Sequence, residues 1–327
     1  MNFQELFSNF SNIKVAVIGD VMLDTYMWGS VERISPEAPV PVVALKNKEY
    51  RIGGAGNVAL NIKAMGATPI LCSVVGQDKE GKDLRDIMIK AGLTCNGLIH
   101  SDKRKTTNKT RVLGNNHQLL RIDHEITNDL DVVDTFLLEQ RFAEELENCD
   151  VVIFEDYNKG VLHSKNIELL IQKCTAKGVP TIVDPKKANF LAYKNVTLFK
   201  PNLKEIKEGL KIETDLSEQS NLNDTISELM TSLNNEFTLV TLSERGVVIT
   251  GKNETHHIPA HIRTIADVSG AGDTVVSVAA LCLSAKTDAR TLAELSNLAG
   301  GLVCEITGVV PINKEQLLAE ALRVLGK

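Results

Sequence analysis

The sequence predicts an α/β fold, doubly wound around a mostly parallel sheet, with a small β-sheet flap protruding from it. Three observations predict it. Short apolar runs alternate with helical patterns along most of the chain, as in strand–helix repeats. Those runs are continuously apolar rather than alternating, as in strands buried on both faces. Two stretches, one rich in Pro and one with a hairpin pattern, break the rhythm and have no covering helix nearby.

Val15–Gly19 reads as a buried strand ending in the polar Asp20. Asn57–Met65 has a helical pattern, Pro69–Val75 that of a strand, and Lys79–Ala91 that of an amphipathic helix. Val132–Leu146 predicts a helix, Val151–Glu155 a strand, Asn166–Ala176 a helix and Val179–Asp184 a strand. Leu239–Leu242 and Val247–Thr250 predict further strands. Three helical stretches follow at Gly272–Ser284, Leu292–Cys304 and Lys314–Leu325. Pro39–Leu45 is extended by its prolines. Lys109–Leu113, the turn Gly114-Asn115-Asn116 and Gln118–Asp123 predict a β-hairpin. Together these give one domain over residues 1–327 with a discontinuous flap at about 25–48 and 106–125. Such a flap can close over a site and exclude water.

Composition excludes several classes. Lys plus Arg is 36 and Asp plus Glu 42, a net charge of −6, which argues against a nucleic-acid binder held by a basic surface. The longest apolar runs, such as Val275–Leu283, are broken by Ser and Cys and fall short of the roughly 20 residues of a membrane span. The six cysteines contain no Cys-x-x-Cys pair, so no disulfide framework is expected. Met1–Ile13 lacks a basic region followed by an apolar one, and the expected location is cytoplasmic.

Glycine-rich turns carry the chemistry. Gly54-Ala-Gly56-x-x-Ala59 fits a dinucleotide pattern, but that loop follows a buried strand and Lys46–Arg51 are polar. Gly53–Gly56 then reads either as a helix entry where a ligand meets bare backbone, with Asn57 offering a donor and an acceptor to hydroxyls, or as a tight turn without a ligand. Gly76–Lys82 copies most of a P-loop, but Asp83 stands where Ser or Thr must hold a cation. It reads as a turn and a solvated helix start. Gly270-Ala271-Gly272 opens a long apolar helix and places successive amides at its N-terminus, an anion site. Asp273 in the same turn suits phosphoryl transfer as acceptor of a hydroxyl proton. Taken alone, it is equally a first-turn helix acid. His256-His257 reads as a surface turn before a strand.

Gly53-Gly54-Ala-Gly-Asn57-x-Ala59, with Gly66 and Gly76 beyond it, resembles the first signature of the ribokinase-like (PfkB-type) carbohydrate kinases. Asp267-x-Ser-Gly-Ala-Gly-Asp273 resembles their second; Val278 departs from the usual Ala or Gly. More narrowly, Gly19-Asp20-Val-Met-Leu-Asp24, Arg33–Pro41, Asp156-Tyr-Asn-Lys-Gly160, Asp184-Pro-Lys186 and Pro201-Asn202-Leu-Lys-Glu205 resemble the heptose-7-phosphate kinases of ADP-heptose synthesis. Those enzymes often form the first half of a bifunctional chain. The sequence has no His-x-Gly-His nucleotidyltransferase motif, so a kinase alone is expected.

The resemblance implies an ATP- and Mg²⁺-dependent kinase acting on the anomeric hydroxyl of D-glycero-D-manno-heptose 7-phosphate, in lipopolysaccharide precursor synthesis. It implies that Asp273 is the base and that Gly270, Ala271 and Gly272 supply the anion hole. Asn202, Leu203, Lys204 and Glu205 would order the ATP phosphates and Mg²⁺, with Glu205 acting partly through water. Ser243, Gly246 and Asn297 would contact the nucleotide. Asp20, Gly53, Gly54, Asn57 and Asp184 would bind sugar hydroxyls; Asp20 ends the first strand, where such sheets bind ligands. Asp24 equally caps a turn. The sugar phosphate needs cations, and Lys109, Arg111 and Lys186 are the candidates, with Arg104, Lys105 and Arg121 nearby. The competing reading is charge protecting a sheet edge. A monovalent cation and a homodimer formed through the flap complete the expectation.

Overall fold

Val15–Ile18 are wholly buried, because β1 (Lys14–Gly19) runs through the middle of a sheet covered on both faces. The computed structural model describes residues 2–115 and 117–326. After Asp20 the chain leaves the main sheet as β2 (Val21–Ile34) and β3 (Pro41–Gly54), an antiparallel pair. It returns through helix Ala55–Ala64 into β4 (Thr68–Gly76), helix Lys79–Lys90 and β5 (Leu98–Ser101). β6 (Asn108–Gly114) and β7 (His117–His124) leave again, β6 parallel to β2 and antiparallel to β7. β8 (Val151–Glu155), β9 (Thr181–Asp184), β10 (Leu198–Phe199), β11 (Phe237–Thr241), β12 (Val247–Gly251) and β13 (Thr255–Ile258) complete the main sheet.

The main sheet has nine strands in the order β13-β12-β11-β10-β9-β8-β1-β4-β5, and the flap sheet four in the order β3-β2-β6-β7. Pairing is parallel from β5 to β11 and antiparallel for β12 and β13. The predicted α/β architecture is therefore present. Two apolar clusters flank the sheet. One includes Val15, Leu71 and the helix Ala271–Ser284; the other includes Ala16, Phe142, Phe154 and Leu229.

Several boundaries differ from expectation. The strands of the flap run over 21–54 and 108–124, further than 25–48 at both ends, because β2 and β3 pair right down to Val21 and Gly54 beside the core. His256 and His257 lie within β13, paired with Ile249 and Val248, and not in a turn. Asn116 of the expected hairpin turn lies outside the described residues. Helices Phe3–Asn9, Leu203–Leu210 and Gln219–Leu233, with β5 and β10, lacked a pattern strong enough to foresee. All six cysteines are free thiols. Among the described residues no helix is long and apolar enough to cross a membrane.

Candidate active site

The parallel strands end on one side, and their carboxyl ends carry the site, as open α/β sheets dictate. β1 delivers Asp20, β8 delivers Glu155 and the loop Asp156–Gly160, β9 delivers Asp184 and Lys186, and β10 delivers Lys200 and Asn202. Gly19 lets β1 approach β8 closely; a Cβ there would meet the Glu155 carbonyl oxygen at 1.9 Å.

Opposite these ends begins the helix Ala271–Ser284. Gly270 is its N-cap in the left-handed region, φ 81°, a conformation glycine adopts without a side-chain penalty. Asp273 sits in the first turn and is buried. Asn57 Nδ2 donates to its Oδ2 at 2.6 Å, and the Tyr157 hydroxyl donates to its Oδ1 at 2.8 Å. Burial pushes the Asp273 carboxyl up to about 6, although both hydrogen bonds favour the ionised form. A carboxylate tuned to that value suits general-base work near neutral pH.

Carboxylate oxygens of Glu155, Asp184 and Asp273 lie within 4.8 Å of one another. Two ammonium groups offset them. Lys200 Nζ is 2.9 Å from Asp184 Oδ2, and Lys186 Nζ lies 3.3 Å from Asp184 Oδ1 and 2.5 Å from Glu205 Oε1. Burial raises the Asp184 carboxyl, but Lys186 and Lys200 outweigh burial and hold it below the ordinary range. Glu155 has no such partner. Both its oxygens are buried without a hydrogen bond, and burial followed by Asp184 pushes it well above the ordinary range. An orphaned carboxylate among hard oxygen donors fits a small divalent cation.

Asn202 and Glu205 cap the helix Leu203–Leu210 reciprocally. The Asn202 side chain accepts from Glu205 N, and Glu205 Oε2 accepts from Asn202 N, each at 2.9 Å. This capping box turns Glu205 inward, where it is buried, while Lys204 points outward near Glu208. Leu203 is half-buried at the start of the helix. A bridge between Asn202 and Thr241 brings the end of β11 alongside, so Ser243 and Gly246 follow on the neighbouring turn. Ser243 is exposed there, and Gly246 has φ 93° against the Ile258 carbonyl. Asn297, on the helix Ala289–Val303, donates to the Pro259 carbonyl at 2.9 Å.

Some residues are placed differently from expectation. Asp20 accepts from the amides of Tyr157, Lys159 and Val161 at 2.8–3.1 Å. Its carboxylate ties down the 157–161 loop rather than lying free for sugar hydroxyls. Gly53 and Gly54 give room to protein groups: a Cβ on Gly53 would meet Asp24 Oδ2 at 2.2 Å, and one on Gly54 the Asp20 carbonyl at 2.3 Å. Asp184 is held by two lysines, and Lys186 bridges Asp184 and Glu205, so the Lys186 ammonium is engaged in the carboxylate centre rather than free for a sugar phosphate. Arg111 is paired with Asp24 at 2.5 Å. Arg104 donates to the backbone carbonyls of Ile126, Asn128 and Lys159. Arg121 pairs with Asp123, and Lys105 is exposed. Lys109 is half-buried and forms no ion pair with any described residue.

A base beside an amide-lined helix start, with clustered cations and carboxylates, is an arrangement for moving a phosphoryl group. The sequence matches the pfkB family carbohydrate kinase model over residues 12–316. The chain belongs to the pfkB family of carbohydrate kinases. It is accordingly a phosphotransferase with an alcohol acceptor; kinases of this family use ATP, typically with Mg²⁺.

Among curated relatives, it is 38% identical over 314 residues to "Bifunctional protein HldE" of Desulfatibacillum aliphaticivorans, covering 96% of this chain and 64% of that one. It is 39% identical over 321 residues to the protein of that name in Caulobacter vibrioides, covering 97% and 65%. The chain thus spans slightly under two thirds of the length of these relatives. Phosphofructokinase-2 from Escherichia coli, in complex with potassium, superposes with a TM-score of 0.79 at 17% identity over 96% of this chain and 99% of that one. Ribokinase from Arabidopsis thaliana, with ribose and ATP, superposes with a TM-score of 0.73 at 16% identity over 94% and 98%. These likenesses show the ribokinase-like fold.

Three residues of this pfkB centre went unnoticed in the sequence: Glu155, Tyr157 and Lys200. Tyr157 stood inside the Asp156–Gly160 stretch, which carried no assigned role. Glu155 and Lys200 each close or follow an apolar strand, a position that could have flagged them.

Proposed function

We propose that the protein transfers the γ-phosphoryl group of ATP to the anomeric hydroxyl of D-glycero-D-manno-heptose 7-phosphate, giving the 1,7-bisphosphate for lipopolysaccharide core precursors. The observation that carries the phosphoryl-transfer part is Asp273, buried and held by Asn57 and Tyr157 at the start of the helix Ala271–Ser284. The heptose part is supported by the stretches around Asp20, Asp156, Asp184 and Asn202 that resemble heptose-7-phosphate kinases, and by relatives sharing the name HldE.

In this reading Asp273 takes the proton of the sugar hydroxyl as its oxygen bonds to the γ-phosphorus and the bond to the β-phosphate oxygen breaks, releasing ADP. The amides of Gly270 and Gly272 would receive the charge on the transferring group; that of Ala271 donates to the Val268 carbonyl at 3.3 Å. Gly272 suits this place: a Cβ there would lie 3.5 Å from Asp184 Oδ2 and 3.7 Å from Lys200 Nζ. Glu205, Asp184 and Glu155 offer oxygens for Mg²⁺, which when bound neutralises phosphate charge. Asn202, Leu203, Ser243 and Gly246 would border the nucleotide, whereas Lys204 points outward near Glu208 and the Asn297 amide is engaged by the Pro259 carbonyl. Asn57 would border the sugar, and Lys109 and Arg111 would receive its phosphate.

A monovalent cation is proposed as a further cofactor; a fold neighbour was solved with potassium. A cytoplasmic homodimer through the flap is also proposed. Its support is an apolar row on the flap, where Leu120 and Ile122 are about half exposed. Incubation with ATP, Mg²⁺ and a panel of sugar phosphates, read by phosphorus NMR, tests the function. A new anomeric phosphate on the heptose 7-phosphate is expected; phosphorylation only of unphosphorylated sugars would overturn the substrate.

A further inference from the structure

The flap joins the main sheet at two pairs of crossings, each pair one way out and one way back. The chain leaves at Asp20, between β1 and β2, and returns at Gly54 into the helix Ala55–Ala64. It leaves again through residues 102–107, between β5 and β6, and returns through 125–131, between β7 and the helix Val132–Leu146. Each pair is tied together. Ala55 N donates to the Asp20 carbonyl at 3.0 Å. Ser101 Oγ donates to Asp134 Oδ2 at 2.6 Å, and Lys103 Nζ lies 2.5 Å from Asp131 Oδ2.

One loop touches both pairs. The Asp20 carboxylate accepts from the amides of Tyr157, Lys159 and Val161, which fixes the loop after β8 to the first pair. Arg104 fixes the same loop to the second. Its Nη1 donates to the Asn128 carbonyl at 2.6 Å, and its Nη2 to the carbonyls of Ile126 and Lys159. Two contacts run beside it: Leu130 N donates to the Gly160 carbonyl at 3.0 Å, and Lys159 Nζ lies 2.6 Å from Glu125 Oε1. The packing is close, because a Cβ on Gly160 would lie 2.0 Å from the Asn128 carbonyl oxygen.

This place suits a guanidinium. The three acceptors are neutral backbone carbonyls of two separate segments, so the side chain registers where those backbones lie. A planar fork with donors in fixed directions can hold all three; an ammonium, a point charge on a flexible stem, cannot fix their directions in the same way. Arg104 itself stands on the outgoing crossing, the Lys159 carbonyl belongs to the active-site loop, and Ile126 and Asn128 belong to the returning crossing. The loop then ends on the base, where the Tyr157 hydroxyl donates to Asp273 Oδ1 at 2.8 Å.

We propose that Arg104 is a positioning residue that couples the flap to the catalytic base. It holds the 157–161 loop against the crossings of the flap, so that the seat of the flap over a bound sugar sets where the Tyr157 hydroxyl meets Asp273. The proposal rests on the reading of Asp273 as the base and adds a residue whose side chain acts on it only through Tyr157.

Arg104→Lys, which keeps the charge and loses the fork, tests it in two ways. In steady-state kinetics kcat should fall by up to about tenfold, the worth of the Tyr157 bond, with KM for ATP within about twofold. In a Tyr157→Phe background the same substitution should change kcat by less than about twofold, because the route ends at that hydroxyl. A side chain that only supports the fold would cost the same factor in both backgrounds. Hydrogen exchange gives the second reading. In the free protein, Arg104→Lys should speed exchange at both 125–130 and 157–161. In the wild type, added sugar phosphate should slow exchange in the flap strands and in 157–161 together; in the variant, only the flap should respond. Should Arg104→Lys fail to fold, Lys159→Met cuts the parallel tie to Glu125 and should show the same dependence on Tyr157. Equal kcat losses in both backgrounds, or a 157–161 loop that exchanges as in the wild type, overturn the coupling. The sugar used is whichever the panel above shows to be phosphorylated, so failure of heptose 7-phosphate overturns the substrate and leaves this test intact. If Asp273→Asn keeps its kcat, the base reading falls, and the exchange arm decides the coupling by itself.

Discussion

The Tyr157 hydroxyl reaches across from the loop after β8 and donates to Asp273 Oδ1 at 2.8 Å. The same residue uses its backbone amide to bind Asp20 at 2.8 Å, and Lys186 Nζ lies 5.3 Å from the centre of its ring. Tyr157 therefore joins the end of β1, the base and a lysine of the carboxylate centre. Asn57 holds the other oxygen of Asp273 from the helix Ala55–Ala64. Two donors from separate elements fix the plane of a carboxylate that would otherwise rotate.

Removing only the phenolic oxygen should show this. Tyr157→Phe keeps the ring and its packing, so KM values should change by less than about twofold while kcat falls about tenfold, the worth of one hydrogen bond to a charged group. The bond lowers the Asp273 pKa against the effect of burial. Its loss should move the acid limb of the kcat–pH profile upward from about 6. An unmoved limb with unchanged kcat would mean that Tyr157 only packs.

Asp273→Asn should reduce kcat by about 10²- to 10⁴-fold, the range for a general base, and should also affect stability. Burial raises Asp273 from 3.8 to about 6, so folding favours its protonated form. Ionisation then opposes folding, a penalty absent below the unfolded value of 3.8, growing as pH rises toward 6 and constant above. Its full size is ~3 kcal/mol. Asn, with its amide toward Tyr157 and its oxygen toward Asn57, carries no such penalty. Thermal melts should show the variant gaining on the wild type between pH 4.5 and 7.5; a difference independent of pH would contradict the assignment.

The sequence disclosed the architecture because buried parallel strands are apolar throughout, and β1, β4, β8 and β9 announced themselves that way. It disclosed the glycine turn because Gly270 must adopt φ 81°, which few other residues tolerate. It did not disclose β10, because two residues carry no period. Nor did it disclose how cations choose partners. Lys186 and Arg111 look alike as free positive charges in the sequence, yet one is drawn between Asp184 and Glu205 and the other onto Asp24 by residues distant along the chain. Lys200 is unreadable for the same reason: its partner, Asp184, is brought to it by the pairing of β9 with β10.

Lys200 gives a stability test. It is 2% exposed, and its ammonium is 2.9 Å from a carboxylate that also faces Glu155 and Asp273. Lys200→Met preserves volume but leaves Asp184 with Lys186 alone. Breaking such a pair should destabilise by about 3–5 kcal/mol at neutral pH. Asp184 lies below its ordinary range when folded, so the wild-type pair stabilises above the unfolded value of 3.8 and is lost as pH falls through the folded one. Urea unfolding at pH 7 and at a pH well below 3.8 should therefore show the deficit narrowing in acid; an equal deficit at both would point to packing rather than charge.

Gly270→Ala tests the coupling of the turn to the base. The left-handed conformation at φ 81° penalises a Cβ by about 1–2 kcal/mol. The added methyl would also sit 3.1 Å from Asn57 Nδ2 and 3.2 Å from Val309 Cγ1, closer than ordinary van der Waals contact. The first of these contacts reaches the base, because Asn57 donates to Asp273 at 2.6 Å. Displacing Asn57 weakens the hold on Oδ2 while Tyr157 keeps Oδ1, so kcat should fall by at least tenfold and the loss should overlap with that of Asn57→Ala. A double-mutant cycle measures it: the pair should lose much less than the product of the single effects, because both act through one hydrogen bond. Multiplicative losses would show that the glycine turn and the base act independently, and that Gly270 matters only for its own backbone.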